Sequence, residues 1–212
     1  MITQSSHFVN DIFIPQTGVN VSHVANDNNK LKNAIAEYEV EILVKGLGRK
    51  MTNALYASLN HGQVVDTTDQ IYKDLVNGVE YTHNDKDFFW RGLVEKIGGN
   101  TKCMMAYFVY WNYVKNSDIL LTTMGAKKGK SNNTVIRTSH PKLVTAWRNL
   151  YEWYMGDCEQ NVEIYYHKGH YVEDYFSGHS DNVSMYQFLS HNRESYPDWK
   201  FTSIDNQNMF DI

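Results

Sequence analysis

The stretch between residues 103 and 114 constrains this chain more than any other. Cys103, Tyr107, Tyr110, Trp111 and Val114 form one stripe at helical spacing, and Met104 and Phe108 widen it. A helix apolar over so wide an arc needs neighbours on more than one side, so it belongs at the centre of a packed domain. Asn100 reads as its opening and Asn116-Ser117 as its close.

Amphipathic partners for that helix follow from the same spacing. Leu31, Ile35, Tyr38 and Ile42 make one, with Asn29 as N-cap, and Gly46 and Gly48 interrupt it. Met51, Leu55, Tyr56 and Leu59 continue the pattern until His61-Gly62. Asp66 is placed to cap a short helix through Ile71, Tyr72, Leu75 and Val76, which Asn77-Gly78 ends. Pro141 suits a first helical turn ahead of Leu143, Trp147, Leu150 and Tyr154, with Gly156 as the stop. Ser184-Met-Tyr-Gln187 has the form of a capping box before Phe188 and Leu189. Residues 80–99, carrying Phe88, Phe89 and Trp90, read as a loop; residues 119–123 are β-prone, and residues 161–180 read as loop or hairpin.

The expectation is a mainly α fold: a single helical-bundle domain of four or five helices, with a minor β-hairpin or loop insertion. The chain divides into an N-terminal arm over 1–29, a helical domain over 30–200 and a C-terminal tail over 201–212. Ile12, Phe13 and Ile14 form a short extended apolar patch in the arm, which either frays or docks on a partner.

Composition narrows the function classes. The 212 residues are 14% aromatic, with 15 Tyr and 5 Trp. Such side chains join apolar area to a hydrogen-bonding tip and suit protein contacts as well as cores. A net charge of -4 gives no electrostatic reason to expect nucleic-acid or anionic-membrane binding by the whole chain. Two cysteines, Cys103 and Cys158, exclude a disulfide scaffold and fit a reducing compartment. No signal-peptide pattern opens the sequence, and no apolar stretch approaches the roughly 20 residues of a membrane span.

Chemical motifs are weak. Gly125-Ala-Lys-Lys-Gly129-Lys130-Ser131 places three residues between its glycines, where a phosphate-binding loop needs four. It reads as an exposed basic loop, in which Lys127, Lys128 and Lys130 contact a phosphate backbone or a neighbouring protein. His167, His170 and His179 lie near Glu173 and Asp174, but no helix places them on one face for a metal. Neither cysteine has a neighbour that would activate it. The residues give enzyme function no positive support, and neither a cofactor nor a metal is implied.

The order of features carries more than any single motif. Tyr38-Glu-Val-Glu-Ile-Leu-Val-Lys-Gly-Leu-Gly48 is followed by Leu55-Tyr56. Leu75-Val-Asn-Gly78, Tyr81 and Trp90-Arg-Gly-Leu93 lead into the aromatic helix, then Thr122, Thr123 and Gly125. Tyr186-Gln-Phe-Leu189, Asn192 and Tyr196-Pro-Asp-Trp199 precede the close at Asn208-Met-Phe210-Asp-Ile212. In that order, over most of 31–212, the sequence resembles the head–tail connector (adaptor, or neck ring) proteins of tailed bacteriophages, especially those of crAss-like phages. Asp211 stands where that likeness calls for glycine.

The resemblance implies a structural virion protein. Twelve copies would form a ring between the portal and the tail, extending the channel through which packaged DNA passes. The subunit would be made in the host cytoplasm, with no membrane partner. A ring contact is heterologous, so each subunit needs two different adhesive surfaces. The candidates are Ile12, Phe13 and Ile14 in the arm, and Trp199, Phe201, Met209 and Phe210 toward the end. Two other classes remain open on the residues: a helical nucleic-acid-binding or regulatory module, which calls for a basic stripe that only the 127–130 loop supplies, and a metal-dependent helical enzyme using residues 167–179.

Overall fold

A computed structural model describes residues 1–14, 24–117, 120–122, 125–127, 140–156 and 182–204. Helix α1 spans Val24–Leu47, α2 Arg49–Ser58 and α3 Gln70–Asn77. Strands β1 (Val79–His83), β2 (Lys86–Trp90), β3 (Val94–Ile97) and β4 (Asn100–Cys103) follow. After them come α4 (Met104–Ser117), β5 (Leu120–Thr122), β6 (Gly125–Lys127), α5 (His140–Tyr154), β7 (Asn182–Val183) and α6 (Met185–His191). Short 3-10 turns at Ser5–His7 and Asn10–Ile12 precede α1.

The central position expected for α4 holds. Every residue from Cys103 to Trp111 is buried, and α4 packs against α1 on one side and α5 on another. Burial on this scale makes a large-to-small change at Trp111 or Trp147 cost about 3–5 kcal/mol.

The expected helical bundle is incorrect. The fold is mixed α/β: six helices with three small sheets among the described residues. Residues 80–99 are two β-hairpins rather than a loop. β1 pairs antiparallel with β2, Val79 opposite Trp90, and β7 joins β2 in parallel. β3 pairs with β4, Val94 opposite Cys103, so the residues from Asn100 form a strand and the helix starts at Met104. β5 and β6 form a third pair. Each of the first two hairpins closes on two residues with positive φ, Asn84-Asp85 and Gly98-Gly99. That conformation matches the strand twist, and Asn, Asp and Gly tolerate it.

Helix α1 also runs through Gly46, which sequence reading took as a break. Here glycine answers a packing demand: an added Cβ would lie 2.3 Å from Met185 Cε and 3.0 Å from the Tyr154 ring. Gly78 and Gly92 make a closer crossing, since a Cβ on Gly92 would lie 2.5 Å from the Gly78 nitrogen and from the Val76 carbonyl oxygen. The chain leaving α3 and the chain leaving β2 meet there backbone to backbone. The capping box before α6 forms as its residues predict. Ser184 Oγ accepts from Gln187 N–H at 3.2 Å, and Gln187 Oε1 accepts from Ser184 N–H at 3.1 Å.

Candidate interaction surfaces

The N-terminal segment is built onto the domain. Ile2, Phe8, Ile12 and Ile14 are buried in the core, while Phe13 is 52% exposed. The anchor is Glu39, fully buried, whose carboxylate accepts from the backbone N–H groups of Ile2 (2.9 Å) and Thr3 (2.6 Å) and from the Tyr56 hydroxyl (2.6 Å). Three donors on one carboxylate satisfy a group that would otherwise be costly to bury. Burial and the Glu39 charge both push Tyr56 above the usual phenol range, so it remains the donor. Glu39 lies on the same stripe as Ile35 and Ile42, and a carboxylate on an apolar stripe was the sequence signal for this anchor.

Around the anchor the chemistry is quiet. Thr3 Oγ1 lies 3.5 Å from Cys103 Sγ, and burial pushes the Cys103 thiol up to about 12, which keeps it neutral. His7 Nδ1 accepts from Gln4 N–H at 3.2 Å, and burial holds its pKa below the ordinary value against the opposing pull of Glu39. Beside these residues a cavity of about 60 Å³ touches Asp11, Lys102 and Tyr107. Sites for drug-sized ligands run to roughly 300–1,000 Å³.

The C-terminal segment seals the end of α1. Trp199, also buried, donates its indole N–H to Gly46 O at 2.8 Å. Lys200 N–H donates to Leu47 O and Thr202 N–H to Lys45 O, so carbonyls that a helix end leaves orphaned find partners here. The Tyr154 hydroxyl donates back to Thr202 O at 2.7 Å. Phe201 is half-buried between the rings of Tyr154 and Tyr186, each 4.9 Å away, and Tyr186 is 41% exposed. Arg193 lies over Trp199 and donates to its carbonyl at 2.7 Å. At the edge of this cluster Phe201 packs against the core with part of its ring exposed, and Tyr186 extends further into solvent.

Of the residues singled out as adhesive, then, Ile12, Ile14 and Trp199 are drawn into the core of one chain, and Phe13 and Phe201 keep exposed surface. Met209 and Phe210 lie outside the described residues. Lys127 falls in β6 opposite Leu120, and Lys128 and Lys130 lie outside the described residues. So do Cys158, His167, His170, Glu173, Asp174 and His179.

Sequence reading missed a third cluster, where the β1–β2 hairpin meets α6. Tyr81 stacks on Phe88 and meets Phe188 edge-on, and Trp90 stacks on Phe188 at 5.4 Å. His83 and His191 lie face to face, ring centres 4.2 Å apart and nearly parallel. The Tyr81 hydroxyl is 2.9 Å from His191 Nδ1. Burial, and then the neighbouring His83, hold the His191 pKa below its ordinary value. Two residues 108 positions apart meet only because the hairpin forms, and the loop reading concealed that.

Where α4 crosses α5, the Trp111 and Trp147 rings lie 4.8 Å apart, tilted by 48°. The Lys115 ammonium sits 4.4 Å from the Trp111 ring centre. Neither indole N–H has an acceptor among the described residues.

The chain belongs to a family described as "Family of unknown function (DUF6712)", which matches residues 52–162, just over half of its length. No curated protein and no solved structure matches it. Among the described residues, no three His, Cys, Asp or Glu side chains converge as metal ligands, and no helix is long and apolar enough to cross a membrane.

Proposed function

We propose that this protein is a structural subunit of the head–tail connector of a tailed bacteriophage, a ring component between portal and tail. The ordered likeness across residues 31–212 is the source of the reading. The observation that carries it is the aromatic edge formed by Tyr186 and Phe201 beside the end of α1, backed by a sealed core and paired with the exposed Phe13 on the N-terminal segment. Aromatic side chains presented on rigid elements are the usual anchors of protein interfaces. They belong to separate parts of the chain, as a heterologous ring contact requires. In this reading twelve copies assemble on the portal, DNA passes through the ring without base-specific contacts, and the protein resides in the virion neck.

The test is native mass spectrometry of the chain alone and mixed with the portal protein of the same genome. A complex whose copy number matches the portal supports the connector. A monomer that ignores the portal at every salt concentration overturns it.

A further inference from the structure

The aromatic edge beside the end of α1 lies where the described chain stops. Phe201 is 4.9 Å from both the Tyr154 and the Tyr186 ring, and Tyr186, 41% exposed, reaches beyond it into solvent. Buried Trp199 supports both rings, 5.7 Å from Tyr186 and 5.9 Å from Phe201. The last described residue, Ile204, is buried three residues after Phe201, a contour of about 10 Å. Residues 205–212 therefore leave the domain next to this edge.

The rim of the edge is positive. Arg193 lies over Trp199, and the backbone of Gly48, next to Arg49, packs against Lys200. Two neighbouring lysines are already answered, Lys45 by Glu41 and Lys50 by Asp198, each at 2.8 Å. Arg49, Lys200 and Arg193 are exposed and form no ion pair among the described residues. Set against the exposed Glu194, these three cations leave an excess of two positive charges. Residues 205–212 match the surface in both respects: Met209, Phe210 and Ile212 are apolar, and the only charged side chains are Asp205 and Asp211. The chain from Ile204 to Phe210 reaches about 20 Å at full extension, enough to turn back onto rings so close to its root.

We propose that residues 205–212 fold back within their own chain and cover the Tyr186–Phe201 edge, with Phe210 on the rings and the two aspartates on the positive rim. The tether favours the segment's own chain over a second copy, because so short a link presents it at an effective concentration of order millimolar. The contact itself stands apart from the connector reading, and its consequence for assembly rests on that reading. A covered edge keeps free subunits apart, and the neighbouring subunit or the portal displaces the segment to reach Tyr186.

The test is NMR of the full chain, with ¹³C-labelled and unlabelled copies mixed for isotope filtering. Met209 methyl and Phe210 ring protons should show nuclear Overhauser effects to Tyr186 and Phe201 within one chain, unchanged on dilution. A chain stopped after Ile204 should stay folded and shift the Tyr186 and Phe201 resonances. By sedimentation velocity it should associate, with itself or with the portal protein, about threefold or more tightly, because the cover lowers the competent fraction. Lys200→Glu and added salt should loosen the cover in the full chain. Phe210 protons without contact to either ring, in a segment that relaxes as a free coil, overturn the proposal. Contacts seen only between labelled and unlabelled copies also overturn it and assign the segment to a second copy. Contacts within one chain, together with association unchanged by the truncation, uphold the cover and count against the connector's use of this edge.

Discussion

At the scale of single residues, Glu39 decides how the chain begins. Its carboxylate accepts from two buried backbone N–H groups and from one partly buried phenol. Glu39→Leu would leave three donors unpaired, each worth about 1–3 kcal/mol when buried without an acceptor. Partial release of residues 1–14 lets some of those donors reach water, so a net loss of about 3 kcal/mol is expected in urea unfolding. Glu39→Gln keeps one acceptor oxygen and should lose about half as much. Equal midpoints for Glu39→Leu and the wild type would mean that the N-terminal segment is not held by this carboxylate. The exposed Lys50–Asp198 pair shows the contrast, since its removal should change stability by less than about 1 kcal/mol.

At the scale of elements, the β1–β2 hairpin is joined to α6 through the stacked rings of His83 and His191. The His191 pKa is lowered in the fold, first by burial and then by His83, so the folded chain binds this proton less readily than the unfolded chain does. The stability that depends on neutral His191 is therefore complete above its ordinary value of about 6.5 and declines as pH falls below it. His7, lowered by burial, tilts the same way. His191→Phe keeps an aromatic ring against His83 and Phe88 and should flatten part of the decline between about pH 6.5 and 5, leaving the share due to His7. Thermal melts across that window read the slope, and an unaltered slope would separate His191 from it.

The same hairpin marks the limit of what the amino-acid pattern conveys. The central helix was legible because it is apolar all round, and the Ser184–Gln187 capping box because its spacing is specific. Residues 80–99 were not, although Asn84-Asp85 and Gly98-Gly99 are two-residue turn signals. Phe88, Phe89 and Trp90 are consecutive and hide the alternation that marks a half-buried strand, while β1 alternates with polar residues that resemble a loop. Gly46 misled in the opposite direction, because a glycine demanded by a neighbouring side chain looks the same in sequence as one that ends a helix. The contact of Trp111 with Trp147 left no sequence signal of its own, since which rings meet across two helices is a property of packing.

For the whole molecule, the question is which apolar surface exists to be covered by another protein. Phe13 and Tyr186 are 52% and 41% exposed, on segments whose neighbours Ile12, Ile14 and Trp199 are buried. Each is a large side chain held by well-packed surroundings, so presenting it costs little ordering entropy at the moment of association. Changing such a residue to serine also removes the roughly half of its side chain that the monomer buries, so monomer stability should fall by about 1–2 kcal/mol. If these side chains are anchors of the ring, the same changes remove contact area that only assembly buries, and the loss should exceed about 1 kcal/mol, or fivefold in affinity. Phe13→Ser and Tyr186→Ser should therefore remain folded with a modestly lowered melting temperature and fail to build stable rings on the portal. Val40, 39% exposed on α1, supplies the control, because Val40→Ser should cost the monomer a similarly modest amount and leave ring assembly intact. Rings that form equally well with both aromatics replaced would place the subunit contact elsewhere on the surface.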